Sequence, residues 1–268
     1  MYVYGMENPF TRFRILGVLC TFALLLGLTL PGPSAAQDCL RLGMDEWPPY
    51  EYSDNGIPLG MSTDIVLRVL EKLDNACVDS LEVYPWKRGL NLLRAGELDV
   101  LFTADYRPAR LAWARYPNES LVDSGWVVYV RKDNKQLQDV RRLEELHGLT
   151  VGTVIGYGYP SKVVLFLNGE ARQSPVASDE LNFRRLDAGR IDALICDRYN
   201  GAYLARKLNL QNMLRVLPEE IATSRLYPMF SRKTVSASLV ERFSATLKAF
   251  KKTDEYRKIL ERWIHHKS

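Results

Sequence analysis

The sequence predicts an α/β protein with two similar halves, on three observations. The first is the stretch from Leu92 to Arg110. A helical segment ends at Gly96, a residue that closes a helix in the left-handed region without a Cβ penalty. A short apolar run, Leu98 to Phe102, then reads as a buried strand, and a polar loop follows to Arg110. The second is a partial copy, Arg185 to Cys196 followed by Asp197, sharing Leu-x-Ala-Gly-x-(Leu/Ile)-Asp with the first. The third is the order of elements along the chain, which alternates strands and helices and so implies a mostly parallel sheet. Ligands of such sheets bind beyond the carboxyl ends of the strands. One copy leads to a cation, Arg110, and the other to an anion, Asp197. That pairing suits a cleft for a ligand carrying both charges.

The chain has 268 residues, 47% hydrophobic and 25% charged, enough for one large or two small domains. Arg12 and Arg14 precede an apolar run from Ile15 to Leu30, which Pro31-Gly32-Pro33 breaks before Ser34-Ala35-Ala36. This has the form of a cleaved secretory signal peptide over residues 1–36. The apolar run is shorter than the roughly 20 residues of a spanning helix. Leu19 before Cys20 argues against a lipoprotein site, and Met6 is a second candidate start to Met1. Removing the leader takes away Glu7, Arg12 and Arg14 and leaves 34 basic and 31 acidic residues, a charge of +3. Such a mild, dispersed balance points away from nucleic acid as a partner.

Leu40 to Met44 is read as the first strand. The loop Asp45-Glu46-Trp47-Pro48-Pro49-Tyr50-Glu51-Tyr52 follows, stiffened by its prolines, and Asp54-Asn55-Gly56 is a turn. Ser62 or Thr63 is expected to cap a helix that buries Ile65, Val66, Val69, Leu70 and Leu73. Val78 to Tyr84 is the next strand, and Pro85-Trp86 opens the helix that runs to Gly96. Further strands are expected at 124–131, 149–155, 191–196, 213–217 and 226–231. Helices are expected at about 159–168, 179–188, 198–208, 236–251 and 254–265, with a short one capped by Asp139 and ending at Gly148. Cys39 and Cys77 each begin a strand, and those strands should be neighbours. In an oxidising compartment the two thiols can pair; two buried free thiols are the alternative. Cys196 is read as a small buried hydrophobe.

The run Leu-Arg-Leu-Gly-Met-Asp-Glu-Trp-Pro-Pro-Tyr-Glu-Tyr (40–52), with Gly56 and Gly60-Met61-Ser62-Thr63-Asp64-Ile65, resembles the opening of family 3 extracellular solute-binding proteins. These are polar-amino-acid receptors of ABC importers. The Trp86 helix, Ala95-Gly96-Glu97-Leu98-Asp99, Arg110, Leu146 to Gly152, Ala188 to Asp197 and the ending Phe250 to Trp263 follow in the family's order. The resemblance implies a periplasmic binding protein-like fold, two α/β lobes joined by a two-strand hinge with a ligand cleft between them. Lobe 1 would comprise residues 37–127 plus 228–268, and lobe 2 residues 128–227. Closure of such a hinge around a ligand is known for this architecture.

The resemblance also implies roles. Trp47 stands where the family has an aromatic over the ligand, and Trp86 at another wall position. Arg110 matches the arginine that grips the α-carboxylate, a task suited to a guanidinium fork. Asp197 matches the aspartate that takes the α-ammonium, and Gly156, Tyr157 and Gly158 the second-lobe loop that helps hold the carboxylate. Thr103 belongs to the polar loop before the arginine. Asp105, Tyr106 and Arg107 depart from that loop's usual hydroxyl-rich pattern, with Arg107 in place of a usual Thr.

The function implied is a periplasmic receptor, secreted through the signal peptide, that captures a small amino acid-like zwitterion. Its partners would be that ligand and an ABC permease in the inner membrane, and the receptor would be a monomer. No cofactor, metal or catalytic residue is expected: the three histidines lie at a helix ending and in the tail, and no nucleophile motif, metal-ligand pair or phosphate loop occurs. Competing readings are a dehydratase-like enzyme using Glu46 and Asp105 for proton transfer, and an orphan sensor.

Overall fold

The computed structural model describes residues 38–265. The expected signal peptide, the two candidate starts and Cys20 lie outside the described residues. Within them, no helix is long and apolar enough to cross a membrane.

The first half begins with β1 (Asp38–Met44), a hairpin of β2 (Tyr52–Asp54) and β3 (Ile57–Leu59), α1 (Met61–Glu71), β4 (Ala76–Val83), α2 (Trp86–Ala95) and β5 (Val100–Asp105). A 3₁₀ turn at Pro108–Ala112 and β6 (Ala114–Arg115) lead to the long strand β7 (Val122–Arg131). The second half contains β8 (Thr150–Val154), α3 (Ser161–Gly169), β9 (Arg172–Val176), α4 (Asp179–Asp187), β10 (Ala193–Asp197), α5 (Arg198–Lys207) and β11 (Leu214–Val216). The long strand β12 (Ala222–Ser231) returns, and α6 (Ala237–Phe250) and α7 (Asp254–His265) close the chain.

The sheet runs in the order β4-β1-β5-β12-β7-β10-β8-β9, with β11 on β7 and β6 on β12. Its centre is the two crossing strands. β7 and β12 pair antiparallel over Val122–Trp126 and Ala222–Leu226. Beyond that ribbon β12 joins β5 while β7 joins β10. Each crossing strand thus serves one half at one end and the other half at the other, which is the expected two-strand hinge. Buried apolar side chains follow the same division. Two clusters draw their buried members from 40–122 and 226–259, and two from 126–221.

The repeated aspartate has a structural explanation. Asp99 accepts the Arg41 backbone N–H at 2.8 Å while its own N–H donates to the Arg41 carbonyl at 3.0 Å. Asp192 makes the same reciprocal pair with Thr150, at 2.8 and 2.9 Å. Each aspartate therefore pins the strand it precedes to the first strand of its own half. Asp99 also takes two bonds from the Arg41 guanidinium, each 2.8 Å. The strands so positioned end on Asp105 and Asp197.

Gly96 caps α2 in the left-handed region, φ 79°, as expected. The cap of α1 differs from expectation. The helix starts at Met61 behind Gly60, and neither Ser62 nor Thr63 caps it. Instead the carbonyls of Pro49 and Tyr50 accept from Met61 and Ser62 N–H, both at 2.8 Å. Those orphan helix donors thereby hold the 47–52 loop. Only glycine fits at position 60: φ is 131°, and a Cβ would overlap the Tyr50 backbone. The Asp139-capped helix is also corrected. Only short 3₁₀ turns form, at Lys135–Leu137 and Leu143–Leu146. The segment offers Leu137, Leu143 and Leu146 for burial, too few apolar positions for a packed α-helix. β9 was not anticipated, because Arg-Gln-Ser-Pro-Val is mostly polar; as an edge strand it needs little apolar character.

Cys39 and Cys77 lie opposite one another in the β1–β4 ladder and are joined by a disulfide. Closing a loop of 38 residues restricts the unfolded chain by up to about 4 kcal/mol. A Cys39→Ser/Cys77→Ser variant should lower unfolding stability towards that amount in denaturant titration. An unchanged midpoint would show that the bridge contributes nothing. Cys196 is fully buried and free.

Candidate functional site

A cavity of about 520 Å³, counted to its open mouth, lies beyond the carboxyl ends of β1 and β5. The loop after β1 contributes Asp45, Trp47 and Glu51, and the start of α2 contributes Trp86. β5 and the loop behind it supply Thr103, Asp105, Arg107 and Arg110. Trp126 and Leu226 border the cavity from the crossing strands, and Tyr157 and Gly158 cover it from the second half.

Arg107 borders the cavity as a cation, and so does Arg110. The Arg110 guanidinium lies 5.6 Å from the Trp86 ring centroid, a cation–π distance. One nitrogen, Nη1, donates to the Asp105 carbonyl at 3.3 Å. It makes no ion pair among the described residues, so a guanidinium on the cavity wall is left to meet a ligand anion. Asp105 is held by Ser224, whose hydroxyl donates at 2.5 Å. Burial pushes the Asp105 carboxyl up, while Ser224, Arg107 and Arg110 pull it back.

Glu51 and Thr103 form the floor. The Thr103 hydroxyl donates to Glu51 Oε2 at 2.7 Å, and the Asp45 N–H donates to Oε1 at 3.2 Å. Glu51 is 1% exposed, and burial pushes its carboxyl well above the usual range. Thr103 adopts φ 61°, a strained conformation for a β-branched residue, of the kind that clusters at ligand sites. Asp45 is raised by burial as well.

From the second half, the Tyr157 ring meets Trp47 edge-on at 6.3 Å. Gly158 lets the Arg107 guanidinium pass against its backbone, since any Cβ there would overlap it. Burial pushes Tyr157 well above its ordinary value, and the buried Asp179 adds to this. Asp179 opens α4, 4% exposed; burial pushes it to about 7, against a hydrogen bond from Tyr157.

Seven residues assigned from sequence border this cavity: Trp47, Trp86, Thr103, Asp105, Arg110, Tyr157 and Gly158. Three are placed elsewhere. Tyr106 is half exposed and borders an outer recess. Gly156 is exposed, in the left-handed region with open space around it. Asp197 stands behind the wall. It caps α5 through bonds from Tyr199 N–H at 2.9 Å and Asn200 N–H at 3.2 Å, and it accepts the Tyr50 hydroxyl at 2.7 Å. Burial pushes Asp197 to about 6, against those bonds. Glu46, a candidate acid in the dehydratase reading, is exposed and accepts from Ser53 N–H. Sequence reasoning did not select Asp45, Glu51, Arg107 or Trp126 as site residues. A buried acid such as Glu51 inside an aromatic, proline-stiffened loop was the available signal; Trp126 is reached only because β7 crosses between halves.

The Tyr50–Asp197 bond joins the two halves directly. A second bridge lies beside it, from Asn200 Nδ2 to the Pro48 carbonyl at 2.6 Å. Tyr50→Phe removes the first bridge and leaves a buried carboxylate with one donor fewer, at a cost of about 1–3 kcal/mol. The unliganded variant should show a larger radius of gyration in X-ray scattering. An unchanged radius with unchanged stability would mean that the bond does not hold the halves together.

The family model for bacterial extracellular solute-binding proteins, family 3, matches residues 40–266. No curated protein matches. Among solved structures, an ancestral arginine-binding protein bound to arginine is 22% identical with a TM-score of 0.71, covering 84% of this chain and 97% of that one. A histidine kinase sensor domain with similarity to periplasmic binding proteins is 22% identical with a TM-score of 0.72, covering 85% and 97%. The ancestral amino acid-binding protein AncCDT-1, a precursor of cyclohexadienyl dehydratase, is 22% identical with a TM-score of 0.69, covering 84% and 95%. These likenesses share the fold, and with the family match over nearly the whole described chain they lead to one conclusion: the chain belongs to the family 3 bacterial extracellular solute-binding proteins.

Proposed function

We propose that this protein is a periplasmic receptor that captures a small zwitterion, an amino acid or a derivative, between two lobes for import by an ABC permease. The observation that carries the reading is the Arg110 guanidinium, without an ion pair on the wall of a cavity that both halves enclose. A ligand carboxylate would take two charge-assisted bonds from it, while Trp47, Trp86, Trp126 and Tyr157 would cover the ligand's apolar part. The lobes would be 37–127 plus 228–268, and 128–227, a division that the buried clusters support. A ligand touching both lobes stabilises the closed arrangement over the open one, which is selection between states. Asp197, through Tyr50, would serve closure.

A structural relative supports an amino acid ligand: it is an ancestral arginine-binding protein bound to arginine. A thermal-shift screen of the twenty amino acids and small carboxylates against the mature chain tests the proposal. A saturable rise for at least one α-amino acid, confirmed by calorimetry, is expected. No shift for any zwitterion would refute it.

A further inference from the structure

Beside the central cavity lies a second recess, about 1410 Å³ counted to its wide mouth. Asp105, Arg107, Trp126 and Gly158 border both, so the two spaces adjoin across the Arg107 side chain. The recess has an aromatic floor. Tyr106 and Tyr227 lie 6.4 Å apart by ring centroid, and both lean edge-on against Tyr116, at 5.1 and 6.0 Å. Tyr106 keeps 50% of its surface exposed. Aromatic rings left open beside a ligand cavity are the usual lining of a binding site.

The charge of the recess is unbalanced. Arg107 and Arg225 border it, and neither makes an ion pair or a side-chain hydrogen bond among the described residues. Its one acid, Asp105, already accepts from Ser224. The remaining polar lining is neutral: Thr223 and Ser224 on β12, and Ser161 at the start of α3. Two free guanidiniums around a tyrosine floor fit a carboxylate carried on a flat linker, because guanidinium forks and carboxylates match in geometry.

We propose that this recess is a second subsite, and that the ligand is an α-amino acid whose side chain is extended through an amide to a second carboxylate. The inference rests on the reading of the central cavity as an amino-acid site. The zwitterionic head sits at Arg110, the amide lies on Tyr106 and Tyr227, and the distal carboxylate lies between Arg107 and Arg225.

Two probes differ in the distal group alone: γ-L-glutamylglycine ends in a carboxylate, and γ-L-glutamylethylamide ends in a methyl. Calorimetry on the mature chain should give at least a tenfold tighter Kd for γ-L-glutamylglycine. Arg225→Ala should erase that preference and leave the Kd of the ethylamide unchanged, since Arg225 does not border the central cavity. Arg110→Ala should weaken both probes. Equal affinity of the two probes, an unaltered preference in Arg225→Ala, or binding of free amino acids with neither probe would each overturn the second subsite. Undiminished binding of both probes by Arg110→Ala would instead overturn the central-cavity reading. Both failures are therefore separable.

Discussion

Replacing Arg110 with alanine should abolish the thermal shift produced by the cognate amino acid while leaving the unliganded protein folded. Two bonds from a guanidinium to a carboxylate contribute about 1.5–3 kcal/mol each, so Kd should rise at least about 100-fold. The unliganded fold should be nearly unaffected. Arg110 is half-buried, its side chain donates to a carbonyl and a thioether, and it supports no strand pairing. Substitutions away from packed cores and polar networks usually change stability by about 0.5 kcal/mol or less. Arg110→Lys separates charge from geometry. It keeps the cation but loses the fork and the flat face over Trp86. An intermediate Kd is expected, closer to alanine than to the parent. Calorimetry that finds the parental Kd in Arg110→Ala would remove the central assignment.

Asp179→Asn should make the protein more stable than the parent above neutral pH, with little difference below about pH 4. The cause is burial, which raises the folded-state pKa to about 7 from an ordinary 3.8. Between those values the folded protein binds more protons than the unfolded chain. Stability therefore falls as pH rises through that window and levels off above it. At about 1.4 kcal/mol for each pH unit, the loss for Asp179 alone is on the order of 4 kcal/mol. Asp197, raised to about 6, adds a loss of the same sign that ends lower, near pH 6. Asparagine keeps an oxygen for the Tyr157 hydroxyl and cannot ionise, so the variant should escape the larger of the two losses. Urea midpoints measured at pH 4, 6 and 8 test this. Parallel pH profiles for parent and variant would show that Asp179 ionises as freely in the fold as in the unfolded chain.

Much of the scaffold was legible because it follows local rules. Gly96 closes a helix in the left-handed region, and the short apolar runs around Leu101 and Leu194, each behind an Ala-Gly helix ending, read as buried strands. The shared Ala-Gly-x-(Leu/Ile)-Asp revealed the two-fold plan, although its purpose was hidden: Asp99 and Asp192 act through Arg41 and Thr150, residues 58 and 42 positions away. The disulfide was legible for a similar reason, since two cysteines that open neighbouring parallel strands come into register. Short turns were not. The Asp139 segment carries a capping residue and scattered leucines, and whether such a segment closes into an α-helix depends on how much surface its neighbours leave to bury.

The site divides in the same way. Sequence by itself determined the family, the α/β plan and the loop ending in Arg110, because order and spacing along the chain carry those features. Only the tertiary structure decided which of the charged residues share a cavity. Asp197 and Arg110 occupy comparable places in their halves, yet Asp197 turns to the Tyr50 hydroxyl and the first turn of α5, while Glu51, unremarkable in sequence, lies at the floor. Asp105, Tyr106 and Arg107 are consecutive, but the first and third border the cavity and the second faces the outer recess. The physical reason is that a side chain's role rests on what packs against it across the hinge, and those partners come from β7, β12 and the 157–158 loop, far along the chain, as Ser224 lies 119 positions from Asp105.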